Sequence, residues 1–202
     1  MNNHISPSFT AMNYSPNSFI AIAWVYFISG MLFWSLACVV ILDEYMGNDL
    51  LGRPSQWSEG TQFFSTCLMW TAFVGLVVSY FALMTLTYRC WAIIQDGVAR
   101  TSPFLAVFLL LVPVVNIVWQ FVAWPGLATD TNQYSDRLQA NSEYRISTGY
   151  GIFTCFMSIG MLILSFFFFV PFAFSLARTA QAIQQKKMEI IAKDRKQWEE
   201  NS

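Results

Sequence analysis

The run Leu111-Val-Pro-Val-Val-Asn-Ile-Val-Trp-Gln120 puts one proline and two amides into an otherwise apolar stretch. Pro113 has no N–H, so inside a helix it would leave the Leu109 carbonyl without its donor. Asn116 and Gln120 stand one helical turn apart and share a face. Amides on an apolar helix can hydrogen-bond to neighbouring helices and hold a kink, or they can line a path for an ion or polar substrate. A second group precedes them: Arg89, Asp96, Gly97 and Arg100. Gly97 can stop a helix, and Arg89 can anchor it where it leaves lipid. Asp96 and Arg100 flank the resulting turn, where they can pair with each other or meet a partner.

Residues for covalent, acid–base or metal chemistry are poorly provided. The one histidine, His4, lies in an N-terminal tail rich in Asn and Ser, without an apparent partner. The four cysteines, Cys38, Cys67, Cys90 and Cys155, have no CxxC or Cys/His spacing that would suggest zinc. They read as small buried hydrophobes, and a Cys38–Cys67 disulfide is geometrically conceivable. No glycine-rich phosphate loop is present. Neither a nucleophile with its base nor a carboxylate pair falls within the apolar stretches, so the expectation is a protein that is not an enzyme and uses no cofactor or metal.

The elements that would position these residues follow from the placement of charge. Only 11% of the 202 residues are charged, 55% are hydrophobic and mean hydropathy is +0.45, against about 25% charged residues in soluble domains. Formal net charge is −1, which offers nothing to a nucleic acid. No Asp, Glu, Lys or Arg occurs from Met1 to Leu42, Gly60 to Tyr88, Thr101 to Thr129 or Ile146 to Ala177. A bilayer core of about 30 Å needs roughly 20 apolar residues in a helix. Each window can supply one, which predicts spans at about 19–42, 62–88, 103–124 and 149–177. A soluble helical protein would need a polar face on each helix, and these windows have none. Residues 1–18 form an N-terminal tail without the basic region of a signal peptide, and 178–202 form a charged helical tail.

Four spans put the second loop (Arg89, Arg100) and the C-terminal tail (Arg178, Lys186, Lys187, Lys193, Arg195, Lys196) on the side of the N-terminus. Arg53, Arg137 and Arg145 fall on the other side. This bias predicts that both termini are cytoplasmic. Small residues mark packing faces: Cys67, Thr71, Gly75 and Ser79 every four residues, with Ala23, Gly30 and Ala37, and Gly151, Ser158 and Ser165, every seven. Close backbone approach at such stripes holds membrane helices together, and the seven-residue repeat follows a left-handed seam. Ser102 can cap the third helix with Pro103 in its first position. Pro113 and Pro171 would then kink the third and fourth helices, with Pro125-Gly126 ending the third. The expected fold is all-α and integral to the membrane: four transmembrane helices in an up-down antiparallel bundle.

The segment Trp91–Asp130 also resembles uncharacterised bacterial multi-span membrane proteins of a domain-of-unknown-function type. The likeness rests on Trp91, Gly97, Arg100, Thr101, Pro103, Ala106, Val107, Pro113, Asn116 and Trp119. Members often carry Gly-Lys after the first proline, where this chain has Phe104-Leu105. The resemblance implies a bacterial membrane protein and no particular activity. The expected partners are the lipid bilayer and either a second copy or another membrane protein. Two functions stay open: a non-enzymatic assembly or interaction subunit, or a small oligomeric channel or transporter.

Overall fold

The computed structural model describes residues 14–45, 59–95, 99–140, 145–160 and 165–200. Regular structure among them is helical: α1 (Asn17–Tyr45), α2 (Glu59–Ile93), α3 (Pro103–Leu111), α4 (Pro113–Arg137), α5 (Thr148–Gly160) and α6 (Ser165–Glu200). Three of these helices hold segments long and apolar enough to cross a membrane, Asn17–Val39, Thr66–Ile93 and Phe166–Glu200. The protein is thus a helical membrane protein. The chain divides into two compact units, one of residues 24–83 and one of the rest.

In the unit of residues 24–83, α1 and α2 meet at the predicted small stripe. A Cβ added to Gly75 would lie 3.0 Å from the Ser29 carbonyl oxygen and 3.4 Å from the Phe33 nitrogen. These are backbone atoms that no rotamer change can move, so the two helices are as close here as glycine permits. One turn on, Ser79 Oγ donates to the Tyr26 carbonyl at 3.2 Å. The other end of the stripe is different: Cys67 and Thr71 are exposed, and Thr71 Oγ1 turns back to its own Cys67 carbonyl. Cys38 and Cys67 are both free and exposed, so the conceivable disulfide is not formed.

In the other unit, two expected spans are corrected. Residues 103–124 do not form one kinked helix. α3 ends at Leu111, Val112 is extended (φ −84°, ψ 109°) and Pro113 opens α4. Trp119 Nε1 donates to the Ala106 carbonyl at 3.0 Å. In a straight helix residues thirteen apart would be about 20 Å apart, so α4 must fold back along α3. The physical cause is local: proline pushes the residue before it out of the helical region and is at ease in the first helical position. Pro125 and Gly126 do not end the helix either, because α4 continues through them to Arg137.

Residues 149–177 are likewise not one span kinked at Pro171. They contribute α5 and the start of α6, and these run antiparallel. Tyr150 Oη donates to the Phe168 carbonyl at 3.0 Å, and the Phe153 and Phe168 rings meet edge to face at 5.3 Å. Pro171 sits inside α6. α4 and α5 are also antiparallel, paired at Gln120 with Ser158, Thr129 with Thr148 and Asn132 with Ile146. At Gly151 a Cβ would stand 3.2 Å from Phe172 Cε2 and 3.7 Å from Pro125 Cα, so the lack of a side chain lets α4, α5 and α6 converge. Trp124 is buried there between Phe169 and Phe172. α4 closes with Gln139 at φ +50°, while Ala140 N–H reaches the Ser135 carbonyl and Gln139 N–H the Asp136 carbonyl. That is a Schellman ending with a glutamine where glycine is usual.

Candidate functional site

The polar groups of the larger unit gather in two places. The first is the end at which α2 finishes, α3 starts and α4 meets α5. Arg89 donates to Ser18 Oγ at 2.8 Å and lies over the Tyr14 ring at 4.7 Å. Burial pushes the Tyr14 phenol above its ordinary pKa, Tyr88 adds to this, and Arg89 opposes both. Gln184 reaches the Tyr14 carbonyl and Gln181 the Asn17 amide. The start of α1 is therefore held to α2 and α6 through side chains.

Next to this, Lys187 Nζ donates to the carbonyl of Ile93, the last residue of α2, at 2.6 Å, and sits 4.8 Å over the Tyr134 ring. An ammonium at a helix C-terminus meets the negative end of the helix dipole and a carbonyl that the helix itself leaves without a donor. One side chain of α6 thereby joins α2 and α4. Gln95 Nε2 donates to the carbonyls of Trp91 and Thr101, both at 3.0 Å, and closes the passage from α2 to α3. Ser102 Oγ accepts from Leu105 N–H with Pro103 in first position, the cap read from the sequence.

Asp130 is the buried charge of this end. Its side chain is 1% exposed, and Arg100 supplies both Nε at 3.0 Å and its backbone N–H at 3.3 Å. Arg100 thus reaches α4. Asp96 and Gly97 lie outside the described residues, as does the expected glycine helix stop. Nearby in sequence, Trp91 Nε1, Thr101 Oγ1 and Thr131 Oγ1 are buried without a hydrogen-bond partner. Asn132 exchanges two hydrogen bonds with the backbone of Ile146, and Arg145 pairs on the surface with Asp136 at 2.8 Å. Among the described residues, no three His, Cys, Asp or Glu side chains are grouped so as to hold a metal ion.

The second polar place is deep in the α4–α5 contact. Ser158 Oγ donates to Gln120 Oε1 at 2.6 Å, and Cys155 Sγ to the Gln120 carbonyl at 3.3 Å. Gln120 is buried. Asn116 is only half-buried, and its backbone N–H bonds to the Val112 carbonyl. Pro113 is exposed. The proline and the two amides are therefore not one site: Pro113 and Asn116 belong to the turn between α3 and α4, and Gln120 to the helix contact. No protein-family model, curated protein or solved structure matches the chain. The geometry must carry the functional reading unaided.

Sequence reasoning missed Lys187, Asp130 and Tyr134. A basic residue ten past the last apolar window reads as a solvated tail charge. Only the packing of α6 on the end of α2 gives it a carbonyl to cap.

Proposed function

We propose that the protein is a non-enzymatic, multi-pass component of a bacterial cytoplasmic membrane that acts as an assembly or interaction subunit, with both termini in the cytoplasm. The observation that carries this is the far end of α6. The helix does not stop at Lys187 but runs on to Glu200, with residues 188–200 exposed or half-exposed throughout. Met188 is 43% and Trp198 71% exposed. Met188, Ile191 and Trp198 follow one another at intervals of three and seven residues, which keeps them on one side of the helix. An exposed apolar side on an otherwise charged helix is the kind of surface that a second subunit covers. The resemblance around Trp91–Asp130 supports the bacterial setting.

Removing residues 189–202 tests the reading. The shortened protein should stay membrane-inserted and helical, yet lose the larger assembly that the full chain forms in nanodiscs, as measured by native mass spectrometry. A full chain that is a lone monomer without a co-purifying subunit, or an assembly that survives the truncation, would sink it. Ion or solute flux through liposomes holding the full chain would favour the channel reading instead.

A further inference from the structure

We infer that α3–α4 and α5–α6 are re-entrant hairpins: they enter the bilayer from the face that carries both termini, turn inside the hydrocarbon, and return. Their outward apolar faces are then a contact surface for the acyl chains of that one leaflet. α1 and α2 are the two helices that cross. The inference rests on membrane insertion and not on the assembly role.

The first support is direction. α3 and α4 fold back on one another, as the bond from Trp119 to Ala106 requires. α5 and α6 do the same, through Tyr150 and Phe168. Each pair therefore has a turning point, and both turning points lie at the same end, since α4 and α5 run side by side with Gln120 level with Ser158. The opposite ends of these helices hold Arg100 with Asp130, Arg145 with Asp136, and Lys187 with Tyr134.

Composition at the turns is the second support. A helix that crosses must meet water on the far side and needs polar residues there. The α3–α4 turn reads Phe-Leu-Leu-Leu-Val-Pro-Val-Val from Phe108 to Val115, and residues 161–164, between α5 and α6, are Met-Leu-Ile-Leu. Neither stretch of sequence contains a charged or polar residue. By contrast, the residues between α1 and α2 include Asn48, Asp49, Arg53 and Gln56.

Length agrees. The nine residues of α3 span about 14 Å and the thirteen of α5 about 20 Å, and although α4 and α6 are long enough to cross, their charge-free parts, residues 113–129 and 165–177, span only about 26 Å and 20 Å, all short of the roughly 30 Å of hydrocarbon. Backbone at membrane depth needs internal partners, and the α3–α4 turn has them. Pro113 presents no orphan N–H, Asn116 N–H bonds to the Val112 carbonyl, and the Trp119 indole serves the Ala106 carbonyl. The faces that remain are apolar and open: Phe104, Phe108, Val114, Val118, Ile152 and Phe156 are between 41% and 80% exposed.

Charge then redistributes. Hairpins return Arg137 and Arg145 to the side of the termini, so of the 11 Lys and Arg residues only Arg53 lies beyond the membrane. Four crossings would leave three there. The hairpin arrangement therefore follows the positive-inside rule far more closely.

The test is a topology map with single new cysteines at Arg137, Ser55 and Ser202, read with a membrane-impermeant maleimide against the parent chain as background. Arg137→Cys and Ser202→Cys should label from the cytoplasmic side only, and Ser55→Cys from the other side only. Arg137 labelling together with Ser55 would overturn the inference, because α3–α4 would then cross. A nitroxide on Val114→Cys, an exposed position, gives a second readout. It should collide with oxygen and be shielded from a water-soluble nickel complex on both sides. Collision with the complex added on the Ser55 side would also overturn it.

Discussion

Replacing Lys187 with methionine keeps the aliphatic stem and removes the charge. The structure assigns three roles to that charge: a hydrogen bond of 2.6 Å to the Ile93 carbonyl, a position over the Tyr134 ring, and a place at the C-terminus of α2. A hydrogen bond from a charged donor contributes about 1.5–3 kcal/mol. The ring adds about 0.5–1 kcal/mol and the helix terminus about 0.3–1 kcal/mol. The ammonium is half-buried, so its lost hydration offsets part of this sum. The expected net destabilisation is about 2–3 kcal/mol, with methionine retaining the packing of the stem. Its neighbour provides the control. Lys186 pairs with Glu189 one turn along an exposed helix face, and Lys186→Met should change stability by less than about 0.5 kcal/mol. Chemical denaturation in a mild detergent, followed by far-UV circular dichroism, measures both. Equal effects from the two substitutions, or a Lys187→Met protein as stable as the parent, would refute the view that this lysine clamps α2 to α6.

Arg100→Ala should cost about 1–3 kcal/mol, because it strips the charged partner from the buried Asp130 carboxylate; Arg145→Ala, at an exposed pair, should cost less than about 0.5 kcal/mol. The same denaturation series reads both, and a cheap Arg100→Ala would mean that Asp130 is solvated. Gln120→Leu should destabilise by about 0.6–2 kcal/mol through loss of the bond from Ser158. Asn116→Leu, at a half-buried position beside the turn, should be neutral within about 0.5 kcal/mol by the usual scale of surface substitutions. The reverse ranking in thermal melts would return Asn116 to the helix contact.

Much of the helical, membrane-embedded character was legible, because charge-free windows of more than twenty residues leave few alternatives. The Ser102–Pro103 start of α3 was legible from capping chemistry, and Gly75 and Ser79 from their spacing. The reversals at Val112 and between α5 and α6 were not. A charge-free window looks the same whether it crosses or doubles back, since lipid faces both arms of a hairpin as it faces one long helix. The signal that bears on the difference is the residue before Pro113: Val112 in front of a proline favours extended backbone, and a proline that opens a helix reads from one side like a proline that kinks one. Lys187 and Asp130 were illegible for a different reason. Their partners, the Ile93 carbonyl and Arg100, are 94 and 30 residues away in sequence, and spacing along one helix says nothing about contacts of that range.

The unbroken length of α6 has a mechanical consequence. Its 36 residues make a rod of about 54 Å, and Lys187 fixes that rod at one point to the end of α2. Residues 188–200 form an outer arm of about 20 Å and residues 165–186 an inner arm of about 33 Å. The inner arm is packed along its length, through Phe169 and Phe172 on Trp124 and through Gln181 and Gln184 on the start of α1, so a pull on the exposed outer arm is carried along one stiff helix into those contacts. Near its inner end the rod meets α5, where Tyr150 Oη donates to the Phe168 carbonyl.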